Sequence, residues 1–441
     1  MKLFKRKPKQ NENADTSLAG AQEGAQALQT EASVLPRAEI GYQRLEQRRV
    51  LSATFIGSAS GLILDSFDPG QDLTFAQQSA FINGVVQDSF TFEVDSGSIS
   101  GSTANPLFEL ESVNGGTDNL LQVATSFFAG AANAQISIDG TDSLGGQVEF
   151  DQVGSPATVD SLSISNFTNV DRSFSLNAIG DVTASNISVV DSNPLDSIDP
   201  VANLTISARG SITTAGSIEN LIDNPLSGIE LFASGANNDV TVNDRIETQS
   251  GSIDISAGDS VQLSSTGQIL SGNLGDTTIT SGSSATSGNS GDQISLADGS
   301  RIDVGSGQAN LIAQGDVLVS QITSLSSGDA VSITTGGQIV DNTIGESDNV
   351  IAVNGRSQFL ATGDIGGAGA GDIDIQAEFL EFDTDGSATI SDSDFGITID
   401  RTSRADGGVE LDSNGQLTIS QDVNLGAVRA LSPTTQIQTM I

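Results

Sequence analysis

The strongest constraint on the fold is a recurrent three-residue pattern in which two apolar residues flank one polar residue. Period-two alternation of this kind predicts short β-strands with one buried side and one solvent-facing side. Gly, Asn or Asp usually separates the triplets, and these residues favour turns. Helical periodicity is almost absent, so the chain is predicted to be all-β. The triplets include Val240/Val242, Ile253/Ile255, Val261/Leu263, Ile294/Leu296, Val317/Val319, Val331/Ile333 and Ile373/Ile375.

A longer motif, apolar-x-Ala-x-Gly-Asp-apolar, also repeats along the chain. A small Ala at a corner, followed by a Gly able to adopt positive φ and then by a strand, is what the corner of a stacked coil requires. The alanines are separated by one or two units of about 24–30 residues, and periods in this range are typical of solenoids. The copies lie at residues 176–182, 206–212, 311–317 and 359–365, with looser copies from residues 231 and 255, and place Ala at 178, 208, 233, 257, 313 and 361.

These repeats resemble those of parallel β-helices of the filamentous-haemagglutinin type, over roughly residues 170–425. The resemblance implies a right-handed parallel β-helix. The dedicated secretion domain of that family is not recognisable here, so the resemblance implies no export route. Tandem β-sandwich domains are the alternative, because they also show strands at short, regular spacings. Very short strands and the scarcity of aromatic core anchors favour the solenoid.

Phenylalanine is distributed unevenly along the chain. Twelve Phe lie within residues 55–174, whereas Phe232 is the only one within residues 175–358. This contrast separates an N-terminal β unit or cap from a regular repeat array. We therefore expect five segments: a disordered basic and polar leader (1–44), a targeting motif with an apolar segment (45–64), the β unit (65–174), the array (175–425) and a C-terminal tail without a recognisable anchor (426–441).

A short motif follows the leader. Residues 45–53 resemble the LEPR-XLL motif found near the N-termini of large secreted or surface proteins of planctomycete bacteria, although Gln47 replaces Pro and Val50 replaces the first Leu of the pair. The resemblance implies targeting or surface sorting. The residues that carry it are Leu45, Glu46, Arg48, Arg49, Leu51, Ser52 and Ala53.

The residues after Arg48 and Arg49 point to export on physical grounds. A positive pair followed by the short, moderately apolar stretch 50–64 is typical of an export signal. An amphipathic helix or the first strand of the body is the alternative. The stretch is too short and too rich in Ser and Gly to span a bilayer stably, so no transmembrane helix is predicted.

Charge excludes one class of partner. The net charge is −39, and residues 50–441 carry eight Arg and no Lys against 50 acidic residues. Such a surface repels phosphate, which argues against nucleic acid, and attracts divalent cations. The chain has no Cys and no His. Disulfides, zinc sites built on these residues and Ser-His-Asp triads are therefore excluded.

Paired carboxylates are the remaining candidates for chemistry. The pairs Asp372/Asp374, Asp383/Asp385 and Asp392/Asp394 could supply a general acid and base for polysaccharide cleavage. We instead interpret Asp372 and Asp374 as the solvent face of a strand, and assign no catalytic residue.

Calcium is the better-supported ligand, because it takes several carboxylate and carbonyl oxygens. Residues 366–372 approximate the GGxGxD calcium repeat, and residues 383–386 resemble part of an EF-hand loop. The candidate calcium ligands are Asp372, Asp374, Asp383 and Asp385; no other cofactor is expected.

Together, these features predict an exported, acidic, adhesin-like or structural repeat protein at the cell surface or outside the cell, and not an enzyme. Its expected partners are cell-wall or extracellular polysaccharide or other surface proteins. The alternatives are a β-helical polysaccharide-acting enzyme that uses Asp pairs, and a calcium-dependent binding module.

Overall fold

The computed structural model describes residues 52–439 except 59–60, 66–72, 95–97, 102–106, 112–119, 129–134, 140–147, 152–160, 172, 192–200, 283–291, 346, 368–370, 394–395, 414, 421–422, 426–427 and 431–436. The predicted leader and the first part of the targeting motif, Leu45 to Leu51, lie outside the described residues.

The regular secondary structure of the described residues is β-strand, apart from one short 3₁₀ turn at Thr125–Phe128. The first twelve strands are β1 (Ser52–Ser58), β2 (Gly61–Asp65), β3 (Leu73–Ile82), β4 (Val85–Val94), β5 (Ser98–Gly101), β6 (Phe108–Glu111), β7 (Leu120–Ala124), β8 (Gln135–Asp139), β9 (Val148–Asp151), β10 (Ser161–Asp171), β11 (Phe174–Ala178) and β12 (Asp181–Val190). Strands β13 to β24 are Leu204–Ala208, Ile212–Thr214, Ile218–Asn220, Ile229–Ala233, Val240–Val242, Arg245–Thr248, Ile253–Ala257, Val261–Leu263, Gln268–Ser271, Thr277–Thr280, Ile294–Leu296 and Arg301–Asp303. Strands β25 to β39 are Ala309–Ala313, Val317–Val319, Gln321–Thr323, Asp329–Thr335, Ile339–Asp341, Val350–Ala361, Ile373–Thr384, Ser387–Asp392, Thr398–Ile399, Ser403–Ala405, Gly408–Ser413, Leu417–Ile419, Val423–Leu425, Val428–Ala430 and Ile437–Thr439.

Three parallel ladders run through the repeat array, because each coil contributes three short strands. The first ladder passes through β11, β13, β16, β19, β22, β25, β28, β30 and β31. The second passes through β12, β14, β17, β20, β23, β26 and β29, and the third through β12, β15, β18, β21, β24, β27 and β30. The chain is therefore a parallel β-solenoid, or β-helix. The predicted fold class is confirmed, and the alternative of tandem β-sandwiches is wrong.

The corner alanines of the sequence motif stack directly above one another. Ala178 pairs in register with Ala208, which pairs with Ala233, which in turn pairs with Ala257. Further along, Thr335 stands between Ala313 and Ala361 in the same column. The motif therefore identifies the coil and its length correctly, and Thr substitutes for Ala at the corner.

Aliphatic side chains fill the interior of the coils. The three-residue strands alternate buried, partly exposed and buried positions, as the sequence triplets predict. Residues such as Leu231, Val261 and Ile333 are at most 1% exposed and belong to one continuous core. Burying apolar area contributes about 25 cal/mol per Å², so the stacked core is the main favourable term in folding.

The N-terminal part adds antiparallel strands to the coils. Strands β3 and β4 form a hairpin, β4 pairs with β7, and β7 pairs with β6, all antiparallel. Phenylalanines pack beneath them, with the ring of Phe75 at 4.3 Å from Phe92 and 3.9 Å from Phe150. Parallel pairing already begins here, since β3 pairs with β9 and β9 with β11. The Phe-rich segment 65–174 therefore contains both antiparallel strands and the first parallel pairs, and the ladders continue across residue 175.

Strands also lie at both ends of the described part. Strands β1 and β2, in the apolar segment expected to be an export signal, form an antiparallel hairpin, and β1 continues from Ser52 and Ala53 of the targeting motif. This is the first-strand alternative that the sequence left open. Within the predicted tail, β38 pairs with β35, and β39 pairs with β36. No helix in the described residues is long and apolar enough to cross a membrane.

Candidate functional site

Four aspartates at coil corners, three of them in Gly-Asp motifs, bind the backbone of the next coil. In each case Oδ1 accepts a hydrogen bond from the N–H group one coil further along. A hydrogen bond to an ionised acceptor is among the stronger ones in proteins. These motif carboxylates are therefore structural. The pairs are Asp181 with Ser211 (2.8 Å), Asp239 with Ser260 (3.0 Å), Asp316 with Gln338 (2.9 Å) and Asp364 with Ser387 (2.7 Å).

The glycines at these corners are required because neighbouring atoms leave no room for a Cβ atom, and not because their φ angles are positive. Gly210, Gly315 and Gly363 of the motif have no left-handed φ. A Cβ on Gly210 would lie 2.5 Å from both N and Oδ1 of Asp181, and a Cβ on Gly386 would lie 2.5 Å from Asp364 Oδ1. The expectation that the corner Gly adopts positive φ is therefore wrong. Gly210 and Gly386 are needed because these corners pack on the carboxylate of the coil before, whereas Gly363 packs on the side chain of Gln338.

Asp383 and Asp385 bind an arginine. Arg404, one coil further on, places Nε 2.8 Å from Asp383 Oδ1 and Nη2 2.5 Å from Asp385 Oδ1, and its Nη1 lies 3.0 Å from Asp406 Oδ2. Hydrogen bonds first to Asp383 and then to Asp385 raise the pKa of Arg404. The structure therefore assigns these two predicted calcium ligands to an ion-pair cluster.

Asp374 is not on the solvent face. Its residue is only 7% exposed, and its N–H donates to Asn349 Oδ1 at 2.9 Å. The interpretation of Asp374 as solvent-facing is therefore wrong, because the residue lies between Asn349, to which it is bonded, and Ser391, with which it pairs in register. Asp372 precedes β31 and Asp374 lies near its start, whereas Asp383 lies near its end and Asp385 follows it. The two predicted pairs thus lie at opposite ends of a 12-residue strand and form no common site.

The third carboxylate pair is divided as well. Asp392 is buried and accepts hydrogen bonds from Ser413 Oγ at 3.0 Å and Gly396 N at 2.8 Å. Its sequence partner Asp394 lies outside the described residues. Across the described part of the chain, no three acidic side chains come close enough to share one metal ion.

A groove that the sequence did not indicate lies across the first ladder. Its volume is about 180 Å³. Glu230 and Asp254 lie side by side in it, on β16 and β19, in direct register. Burial raises the pKa of Asp254, against hydrogen bonds from Ser252 and Thr278 that lower it. In the sequence both acids occupy ordinary solvent-facing strand positions, so only the register reveals the pair. The groove is lined by Asn203, Thr205, Leu226, Gly228, Ile229, Glu230, Ser252 and Asp254.

A second ion-pair cluster surrounds Arg356. The guanidinium donates to Asp329 Oδ1 at 2.6 Å and also binds Asp400, and it lies 5.7 Å from the ring centre of Phe379. Burial lowers the pKa of Arg356, but the hydrogen bonds to Asp400 and Asp329 outweigh burial and leave it raised. Arg401 joins the same Asp329 to Glu381. Arginine thus offsets acidic charge where successive coils bring carboxylates together.

No protein-family model, no curated protein and no solved structure matches this chain.

Proposed function

We propose that this chain is an exported, acidic, adhesin-like structural protein of the cell surface, without catalytic activity. The observation that carries the proposal is the use of the motif carboxylates. Asp181, Asp239, Asp316 and Asp364 bind the next coil, and Asp383 and Asp385 bind Arg404. The acidic repeats thereby support a rigid stack of coils, which suits a scaffold that presents one long surface.

The remaining polar side chains supply the contact surface in this proposal. Along the first ladder the outward positions repeat as Thr205, Glu230, Asp254 and Thr278 in register. Side chains of this kind donate and accept hydrogen bonds in the way that sugar hydroxyls require. The groove beside Glu230 and Asp254 is a concavity on this face, and exposed Leu226 gives it an apolar edge. Extracellular polysaccharide is therefore the partner class that we favour, with other surface proteins second.

Cell fractionation tests the location. We expect the full chain in the surface or extracellular fraction of its native cells, and recovery of the mature chain in the cytosol would overturn the proposal. Determining the mature N-terminus in the same material tests whether residues 45–53 act as a targeting motif.

Polysaccharide binding tests the contact surface. Purified chain should bind acidic or neutral polysaccharide in a pull-down, and the double variant Glu230→Gln, Asp254→Asn should weaken the binding. Asp298→Asn is the matched control, since Asp298 is exposed and lies outside the groove. Equal binding by all three proteins would remove the groove from the proposal.

The Glu230/Asp254 pair also favours a second candidate, a polysaccharide-acting enzyme. A carboxyl group with a raised pKa beside a second carboxylate is the arrangement of a general acid and its partner. The β-helix fold by itself does not distinguish the two functions. Screening polysaccharides for new reducing ends separates them. Turnover that Asp254→Asn and Glu230→Gln each abolish would establish the enzyme, whereas absence of turnover on bound polysaccharides supports the scaffold.

A further inference from the structure

Two aspartates, Asp259 and Asp292, lie next to each other at one corner of the solenoid. Val261 and Ile294 pair in register, so the residues two positions earlier, Asp259 and Asp292, occupy equivalent places in successive coils. Adjacent strands in a sheet lie about 4.8 Å apart. The corner therefore stacks two carboxylates directly upon each other.

Asp292 is almost fully enclosed. The residue is 1% exposed, and no donor in the described part of the chain reaches either of its carboxylate oxygens. Its backbone is fixed, because its carbonyl oxygen accepts hydrogen bonds from Gly315 N at 2.8 Å and Ser281 Oγ at 2.9 Å. A buried carboxylate without a partner is costly and calls for a proton, a cation or a ligand.

The nearest neighbours of Asp292 increase its need for a positive charge. Burial raises the pKa of Asp259, and the carboxylates of Asp239 and Asp292 raise it further. Among the described residues, Ser260 Oγ approaches Asp259 Oδ1 as a donor at 3.4 Å, whereas Asp239 Oδ1 already accepts the N–H of Ser260 at 3.0 Å. Asp259 and Asp292 thus form an interacting carboxylate pair, and in the described part of the chain no cationic side chain forms an ion pair with either of them.

We propose that Asp259 and Asp292 together bind one divalent cation, with Ca²⁺ as the preferred ion. Two carboxylates that bind in bidentate fashion supply four oxygens, and waters complete the six to eight that Ca²⁺ takes. Mg²⁺ fits less well, because it demands near-ideal octahedral geometry and releases water reluctantly. This site is separate from the GGxGxD-like segment and from the Asp383/Asp385 pair, and it would tie two coils together.

Thermal unfolding of the full chain tests the site. In EDTA, Asp292→Asn should unfold at a higher temperature than the wild type, because the substitution removes repulsion with Asp259. With saturating CaCl₂ the wild type should gain at least about 2 °C, since ligand binding to the folded state stabilises it. The variant should lack most of this gain, so CaCl₂ should raise the unfolding temperature of the wild type relative to that of the variant.

Three controls make the outcome decisive. Asp298→Asn removes the same charge from an exposed position and should keep the full gain from Ca²⁺. Asp259→Asn should behave like Asp292→Asn and serves if the latter does not fold. MgCl₂ at equal concentration should give a smaller gain than CaCl₂.

Two results would overturn the proposal. The first is a wild-type midpoint that does not respond to CaCl₂ at pH 7 but rises on acidification, which means that the pair shares a proton. The second is an equal gain from Ca²⁺ in the wild type and in both pair variants, which means that the ion acts only through the general acidic surface.

Discussion

Asp364 Oδ1 accepts a hydrogen bond from the backbone N–H of Ser387 at 2.7 Å, across the boundary between two coils. The same relationship recurs at other corners, beginning with Asp181 and Ser211 and including Asp276 and Gln308. Parallel coils end their strands at a corner, where the first N–H of the next strand lacks a ladder partner. At these corners the aspartate supplies that partner, so there its carboxylate links two coils and does not bind a ligand.

The joint at Asp316 can be tested by removing its acceptor. Asp316→Ala deletes the hydrogen bond to Gln338 N, and we expect a loss of about 1–3 kcal/mol in the free energy of unfolding. Asp316→Asn keeps an oxygen acceptor and should cost less. Hydrogen exchange of the Gln338 amide is the direct measurement, and unchanged protection in Asp316→Ala would contradict the joint.

The glycine that packs on the joint can be tested separately. A Cβ at Gly386 would lie 2.5 Å from Asp364 Oδ1 and 2.8 Å from the Gly363 carbonyl carbon. Gly386→Ala should therefore destabilise the fold by about 1–3 kcal/mol. Gly328→Ala is the matched control, because its nearest neighbour would be Ser326 Oγ at 3.9 Å. Denaturant unfolding followed by circular dichroism measures both, and equal midpoints would rule out close approach as the reason for glycine.

The continuous aliphatic core predicts a contrast between two isoleucines. Ile333 is fully buried, whereas Ile344 is 87% exposed. Ile333→Ala should cost about 2–5 kcal/mol through lost burial and the cavity left behind, and Ile344→Ala should change stability by no more than about 0.5 kcal/mol. Because repeat proteins can unfold in parts, local hydrogen exchange in β25 and β28 should accompany the denaturant midpoint. A similar result for both variants would argue against the assigned strand faces.

Much of this fold follows from local sequence signals. Alternation in triplets such as Val240/Val242 sets the strand faces, and the Ala column from Ala178 to Ala257 sets the coil length. These signals recur along the array, so the strand faces and the coil length inferred for one coil apply to its neighbours as well. The extra length of the coil between Thr280 and Ile312 does not disturb them, because the strands on both sides of it stay in register.

The candidate sites were harder to predict because their geometry depends on register between coils. Glu230 and Asp254 are 24 residues apart in the sequence, yet they lie side by side on neighbouring strands. Arg404 reaches Asp383 from the next coil in the same way. A carboxylate pair in the sequence therefore says little about a pair in space. The sequence predicted the coil without predicting which residues meet across it.

The two arginine clusters should respond differently to substitution and to salt. Arg356 has a side chain only 13% exposed and contacts Asp329, Asp400 and the ring of Phe379, so Arg356→Gln should cost about 1–3 kcal/mol at any ionic strength. Arg404 is more exposed, so Arg404→Gln should lower the free energy of unfolding by less. This loss should disappear in 1 M NaCl, because salt at that concentration screens surface charges over about 3 Å. Thermal unfolding at low and high salt checks both. Equal salt dependence would contradict the difference in burial.

Asp254 gives a prediction about pH. Burial raises its pKa in the folded state, so the folded chain holds this proton more tightly than the unfolded chain does. Ionisation of Asp254 therefore costs stability as the pH rises from the acidic range to neutrality. Asp254→Asn should unfold at a higher temperature than the wild type at pH 7, and the difference should vanish once acid protonates the wild-type carboxyl. Thermal unfolding between about pH 3 and pH 7 measures this, with Asp298→Asn as the exposed control. The prediction would be wrong if the wild type were more stable than the variant at pH 7. In that case the hydrogen bonds from Ser252 and Thr278 would outweigh burial, and Asp254 would be stabilised as a carboxylate and would not serve as a general acid.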